Sequence, residues 1–198
     1  MTGCYNADNT WAAKYGDDTM PIGVYIYYLN LAVDAAAAKV DSTQEVMKST
    51  IDGKKAEDFI RDQAMTYVNS YYWIDSKIKE FGLELTDGEK ANAQDVTNSM
   101  WSYYGTQFEK MGISKDSFTK AYSEYNTKYK KVFDKYYGEG GEFEIPKDDL
   151  KATYTANNYS YGYMYASLMT TDENGASAEM TEEQIAELTT KFEGYKQK

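Results

Sequence analysis

The sequence predicts a mostly α-helical fold, a bundle of four or five helices with a small β element. Three features predict it. Apolar residues recur at alternating steps of four and three in several long stretches, which is the period of one helix face. Glycine, a hydrophobic residue and a new N-cap residue separate these stretches. Short runs typical of β-strands lie near both ends of the chain.

The composition excludes several classes of function. Aromatic residues make up 16% of the 198 residues, and 21 of them are tyrosines, which suit half-buried faces and binding surfaces. The net charge of −11 argues against binding to nucleic acid or to anionic lipid. Because there is no histidine, the commonest general base is excluded, and because there is only one cysteine, an internal disulfide and a thiolate metal cluster are excluded as well. No P-loop motif is present, and we expect no cofactor.

The first ten residues are predicted to be a lipoprotein tether. Met1-Thr2-Gly3-Cys4 is similar to the end of a bacterial lipobox, in which the cysteine is lipidated and a signal peptide precedes it. The alternative is a surface cysteine in a flexible tail. Cys4 is therefore the expected lipidation site.

The first structured elements are predicted to be a β-hairpin and a helix. Residues 11–15 and 19–22 flank the turn cluster Gly16-Asp17-Asp18, and Pro21 places the second strand at an edge. A helical stripe begins after Gly23 and consists of Val24, Tyr27, Tyr28, Leu31 and Ala35. Residues 41–53 are polar and are predicted to form a loop.

Residues 55–82 carry the longest helical pattern and are predicted to be the central helix. Gly82 ends it as a left-handed cap. The buried stripe is predicted to contain Ile60, Ala64, Tyr67, Tyr71, Ile74, Ile78 and Phe81.

Two further helices are predicted from Thr86 and from Ser114. Thr86 with Glu89 forms a capping-box pattern, and the third helix runs to Met111. Its inward residues are predicted to be Ala93, Val96, Met100, Tyr104, Phe108 and Met111. The fourth helix ends at Gly138, and its inward residues are predicted to be Phe118, Tyr122, Tyr125, Tyr129, Val132 and Tyr136.

The glycine cluster at residues 138–141 is the predicted domain boundary, between a helical domain at 11–140 and a C-terminal segment at 141–198. A short helix beginning at Ile145-Pro146 is followed by a predicted strand at 159–170. A last helix opens at Thr181 and has Ile185, Leu188, Phe192 and Tyr195 inward. One face of the strand is predicted to carry Tyr159, Tyr161, Tyr163 and Tyr165.

The order of these parts resembles the SurA/PrsA-type extracytoplasmic foldases, particularly the lipoproteins of Gram-positive bacteria. The stretches that carry the resemblance are WAAKYGDDTMPIG, VYIYYLNLA, FGLELTDGE, KMGISKDSF and IPKDDLKATYTANNY. The resemblance implies a helical chaperone bundle in the style of SurA and trigger factor, beside a parvulin-type peptidyl-prolyl isomerase domain. It also implies an extracytoplasmic protein, anchored to the outer face of the bacterial cytoplasmic membrane.

The sequence departs from that family in its C-terminal segment. The family's histidine would fall near Tyr165, and this chain has no histidine. One strand and one helix are also too little for a parvulin fold, so residues 141–198 are interpreted as a partial or degenerate parvulin-like region. No catalytic residue is assigned, and isomerase activity is expected only if the full-length protein contains a complete parvulin domain.

The expected binding residues are aromatic side chains that lie off the buried stripes, where they are free to contact unfolded polypeptides. Trp73, Trp101 and Tyr103 lie off the stripes, and their sequence neighbours Tyr72 and Tyr104 are expected to bind with them, although Tyr104 is also on the predicted stripe of the third helix. Tyrosines on the regular stripes are predicted to be core residues instead. Acidic pairs such as Asp17-Asp18, Asp148-Asp149 and Asp172-Glu173 lack the spacing of a calcium loop, so no metal is expected.

Two function classes follow from this pattern. The leading hypothesis is an ATP-independent lipoprotein chaperone that holds secreted, unfolded polypeptides in an aromatic groove. The alternative is a surface-anchored glycan- or solute-binding lipoprotein, in which a tryptophan would stack on a sugar ring beside several polar groups.

Overall fold

The computed structural model describes residues 6–171 and 173–196. Helices dominate, and the strands form only small two-stranded sheets, so the predicted mostly-α class is confirmed. The chain divides into two compact units, Met1–Pro146 and Lys147–Lys198, a few residues beyond the predicted boundary at residue 140.

From residue 6 onward, where its description begins, the first unit contains two β-hairpins and five helices. The first hairpin pairs β1 (Trp11–Tyr15) with β2 (Asp18–Pro21), as predicted, and the second pairs β3 (Thr50–Ile51) with β4 (Lys54–Lys55). The helices are α1 (Ile22–Ala37), α2 (Ala56–Glu80), α3 (Asp87–Met111), α4 (Lys115–Phe118) and α5 (Tyr125–Tyr137). A π-helical segment, Thr119–Glu124, joins α4 to α5. The polar loop predicted at 41–53 also contains a 3₁₀ turn, Val46–Lys48.

The helix ends lie close to their predicted positions because the capping signals act locally. The Thr86 hydroxyl accepts from the Glu89 backbone N–H, and the Glu89 carboxylate accepts from the Thr86 N–H at 2.7 Å, which is a capping box. Gly82 ends α2 with a φ of +60°, and the Leu83 N–H donates to the Ile78 carbonyl at 2.9 Å.

The main core lies where α1, α2, α4 and the π-helical segment meet. Phe118 is its centre, because its ring stacks on Phe108 at 5.0 Å and on Tyr122 at 5.3 Å and meets Tyr27 edge-on at 5.4 Å. A smaller cluster between α1 and α2 contains Ala32, Ala36, Ile51, Ala56, Ile60 and Ala64. Its alanines allow the two helices to approach closely.

Residues 6–10, predicted as part of a tether, are instead packed against the first unit. The Gly23 N–H donates to the Ala7 carbonyl at 2.9 Å. The Asp8 carboxylate accepts hydrogen bonds from the hydroxyls of Ser114 and Ser117. The lipidation prediction itself falls on Cys4, which lies outside the described residues.

The predicted inward stripes of the third and fourth helices need correction. On α3 the buried residues are Ala93, Thr97 and Gly105, whereas Val96 and Tyr104 are exposed. Thr97 and Gly105 take the buried places predicted for Val96 and Tyr104, whereas Ala93 is buried as predicted and Met100, Phe108 and Met111 pack half-buried against the main core. On α5 only Tyr129 departs from the prediction, since it is exposed, whereas Val132 is buried and Tyr125 and Tyr136 are half-buried as predicted.

The second unit contains α6 (Lys147–Asn157), β5 (Met169–Thr171), β6 (Ser177–Glu179) and α7 (Glu182–Lys196). β5 pairs with β6, not with the N-terminal hairpin. The strand predicted at 159–170 is wrong over most of its length, since only its last residues are in β5. Alternating tyrosines favour an extended backbone, but a strand also needs a neighbour for its backbone hydrogen bonds.

Candidate functional site

Among the described residues of the first unit, the largest set of exposed rings follows one face of α5. We call it the α5 aromatic surface, and it consists of Trp73, Tyr129, Phe133, Tyr137 and Phe143. Each of the five side chains is between 44% and 51% exposed. Ring centroids are 6.4 Å apart for Tyr129 and Phe133, 4.9 Å for Phe133 and Tyr137, and 5.8 Å for Tyr137 and Phe143. The α5 rings and Phe143 therefore form a continuous row.

The helical backbone of α5 holds three rings of the row in place. Its three α5 rings are four residues apart, so they lie on one face of the helix. Phe143 joins them because the chain folds back after α5, where the Phe143 N–H donates to the Tyr136 carbonyl at 2.7 Å. Tyr136 lies behind the row, with its ring 5.2 Å from Phe81 and 5.7 Å from Phe143. The row is therefore supported from behind by two packed rings, Tyr136 on α5 and Phe81 directly after α2.

Trp73 reaches the surface from α2, which runs parallel to α5. The two helices are joined by a 2.7 Å hydrogen bond between the hydroxyls of Ser70 and Tyr125 and by a 2.7 Å ion pair between Asp75 and Lys128. Trp73 and the three α5 rings border a shallow groove of about 220 Å³, with Ile74, Val132 and Tyr136 also among its lining residues. Exposed rings above buried aliphatic side chains can bind apolar side chains without specifying a sequence.

The predicted binding residues have different positions in the structure. Trp73 belongs to the α5 aromatic surface. Tyr103 and Tyr104 form a separate pair on α3, 81% and 47% exposed, with ring centroids 6.4 Å apart. The structure therefore does not bring the five residues together in one groove.

Two of the predicted binding residues are core residues instead. Tyr72 is only 8% exposed, and its hydroxyl donates to the Ala13 carbonyl at 3.0 Å. Trp101 is partly buried against the core, with its ring 5.9 Å from Phe118. It folds over Gly105, where an added Cβ would lie 2.6 Å from the Trp101 Nε1. Trp101 lies off the predicted stripe but is still partly buried, because the neighbouring Gly105 leaves room for the indole.

Four members of the α5 aromatic surface were not among the predicted binding residues, and one of them, Tyr129, was predicted to be a core residue instead. Phe133 and Tyr137 had a signal, since Tyr125, Tyr129, Phe133 and Tyr137 repeat every four residues beside the buried stripe. Phe143 had none, because its position depends on the turn after α5.

The titratable groups of the core have structural roles. Burial raises the pKa of Tyr27 to about 12, and it also raises the pKa values of Tyr28 and Tyr71. These phenols therefore stay protonated at neutral pH, and the Tyr28 hydroxyl donates to the Ala121 carbonyl at 3.1 Å. Across residues 6–171 and 173–196, no cluster of three or more histidine, cysteine or acidic side chains is suited to hold a metal ion.

Among the described residues, none of the helices combines the length and the apolar character needed to cross a lipid bilayer. Comparisons with protein-family models, with curated proteins and with solved structures found no match to this chain.

Proposed function

We propose that this protein is an ATP-independent chaperone that binds unfolded polypeptides on the α5 aromatic surface. The observation that carries the proposal is the row of half-exposed rings, mounted on packed helices. A cluster of apolar side chains on the surface costs solubility, and such clusters commonly mark protein interaction sites. Rings at this spacing make many weak contacts, which suits clients of varied sequence.

The tryptophan environments support polypeptide binding over glycan binding. A sugar site needs a ring beside several hydrogen-bonding groups. Trp73 instead borders a groove of aromatic and aliphatic side chains, and Trp101 packs on the core. Trp11 lies beneath the Lys14 ammonium, 4.7 Å from its ring centroid.

The finer assignments, a SurA-like bundle and an extracytoplasmic, lipid-anchored lipoprotein, are part of this proposal and come from the sequence resemblance. Residues 6–10 are packed against the body, so an acyl chain on Cys4 would hold the chaperone close to the bilayer. Cys4 and Asp8 are four positions apart, and an extended chain of that length spans at most about 14 Å. Isomerase activity belongs to the proposal only for a longer chain with a complete parvulin domain.

The test is suppression of aggregation of a thermally unfolded test enzyme, followed by light scattering. The variant F133S/Y137S removes the two central rings of the row and leaves the core unchanged. We expect its affinity for the unfolded enzyme to fall at least tenfold, because a few central aromatic residues usually dominate such binding.

The matched control is Y103S/Y104S, which removes two exposed rings from α3 outside the row. We expect it to keep most of the activity of the parent. Equal suppression by F133S/Y137S and the parent would exclude the α5 aromatic surface as the client site.

A further inference from the structure

A second groove in the first unit lies between α3 and α5. It runs between residues 86–96 on α3 and residues 122–134 on the π-helical segment and α5, and its volume is about 750 Å³. We call it the α3–α5 groove. It borders the α5 aromatic surface, because Lys130 and Asp134 in its wall each directly follow a ring of the row, Tyr129 and Phe133.

Contacts between the two helices make this groove preformed. Buried hydroxyls of Thr97 and Ser123 share a 2.8 Å hydrogen bond near one end. The Lys131 ammonium pairs with the Glu89 carboxylate at 2.7 Å near the other end. The groove therefore does not have to open before a ligand enters.

The charges in the groove are balanced. Lys131 pairs with Glu89, and Lys130 pairs with Asp134. Two positive and two negative side chains leave no net charge in the lining, so neither a phosphate nor a cation is favoured over a neutral ligand. The groove fits an uncharged ligand.

The polar groups available for binding are amides. Asn92 on α3 and Asn126 on α5 are exposed in opposite walls, and within the described residues neither side chain makes a hydrogen bond. Each amide offers both a donor and an acceptor, which is the pattern that a peptide group needs. Ala93, Val96 and Tyr122 add apolar lining between them.

The dimensions fit a short extended segment. Residues 86–96 of α3 span about 15 Å, which corresponds to about four or five residues of extended chain. We propose that the α3–α5 groove binds the backbone of an extended, uncharged polypeptide segment of small residues. The inference rests on the proposed chaperone function, since it identifies which part of a client lies beside the rings.

The experiment uses the full chain and a fluorescent, uncharged twelve-residue peptide with the repeat Gly-Ser-Ala, read by fluorescence polarisation. The peptide has no large apolar side chain, so it reports backbone binding alone. We expect N92A/N126A to weaken binding about tenfold, because two hydrogen bonds are lost. N98A is the matched control on α3, outside the groove, and should bind like the parent.

A second variant blocks the groove by volume. A Cβ added at Gly88, in the groove wall, meets no atom within 4 Å, so G88L is compatible with the fold. We expect it to abolish binding of the peptide. A version of the peptide with methylated backbone nitrogens should also fail to bind, because it lacks the N–H donors.

Three results would overturn the inference: no binding at millimolar peptide, equal binding by N92A/N126A and the parent, or displacement of the peptide from the groove by an oligosaccharide. F133S/Y137S should bind this peptide like the parent. Loss of aggregation suppression in that variant with the peptide still bound would separate the two sites. If the chain binds the peptide but does not suppress the aggregation of any client, the chaperone proposal is refuted. The proposal that the α3–α5 groove binds a polypeptide backbone would still stand.

Discussion

The two units use aromatic residues in opposite ways. In the first unit, Phe118 is 1% exposed within a stack of rings, and even the α5 aromatic surface rests on buried side chains. In the second unit, Tyr159 and Tyr165 are 88% and 85% exposed, and none of the described residues is fully buried. The comparison shows that exposure alone does not define a binding site. Rings on a packed framework are positioned before the ligand arrives, and this lowers the entropic cost of binding.

The tyrosines of the second unit lack such a framework. Residues 158–168 form no helix or strand, and the nearest ring neighbours of Tyr163 are Tyr161 at 6.4 Å and Tyr165 at 6.2 Å. These rings therefore share one side of the chain, as predicted, without a core beneath them.

The largest expected difference between the units is in how much the free energy of unfolding falls when an aromatic ring is removed. F118A should destabilise the first unit by about 3–5 kcal/mol, because it leaves a cavity among stacked rings. Y161A should change stability by less than about 0.5 kcal/mol, since its ring is exposed. Denaturant unfolding followed by tryptophan fluorescence measures the first unit, because all three tryptophans lie within it.

Denaturant unfolding of the same samples followed by circular dichroism measures the stability of the whole chain. A large loss of stability in Y161A would show that the exposed tyrosines pack on something, and the contrast between the units would then fail.

A smaller difference in stability is expected between the removal of a buried hydroxyl and the removal of an exposed one. T97V keeps the shape of Thr97 but leaves the buried Ser123 hydroxyl without its partner, which should cost about 1–3 kcal/mol. T190V in α7 removes a hydroxyl that donates to the Ala186 carbonyl at an exposed position. It should cost less than about 0.5 kcal/mol. Equal losses measured by denaturant unfolding would contradict the assignment of Thr97 to a buried contact between helices.

Local signals in the sequence predicted much of this fold. The capping box at Thr86 and the left-handed glycine at residue 82 depend on neighbours within a few residues, so α2 and α3 begin and end near the predicted positions. The hairpin turn at Gly16 is similarly local. The errors depended on distant contacts. The π-helical segment interrupts the continuous fourth helix that was predicted, and periodicity alone does not predict such a segment.

The binding surface was harder to predict than the fold. Trp73 was expected to be exposed and is 49% exposed, at the edge of the groove between α2 and α5. Trp101 had the same sequence signal but packs over Gly105. Phe143 joins the surface only through the turn that follows α5. A contact surface made by residues from two helices and a turn needs the tertiary structure before its members can be identified.

The smallest expected effect on stability concerns the ion pair between Glu89 on α3 and Lys131 on α5. Lys131 and the Thr86 backbone N–H lower the pKa of Glu89 from 4.5 to about 2. Because the folded pKa lies below the unfolded one, this group stabilises the fold above about pH 4.5 and loses that contribution as the pH falls towards 2.

E89Q keeps an acceptor for the cap but removes the charge, so its unfolding midpoint should depend less on pH in that window than the midpoint of the parent. E182Q, in the first turn of α7, should leave the tryptophan-monitored acid transition of the first unit unchanged. Parallel pH profiles for E89Q and the parent would mean that the Lys131 contact is not maintained in solution, and one of the contacts that preform the α3–α5 groove would be lost with it.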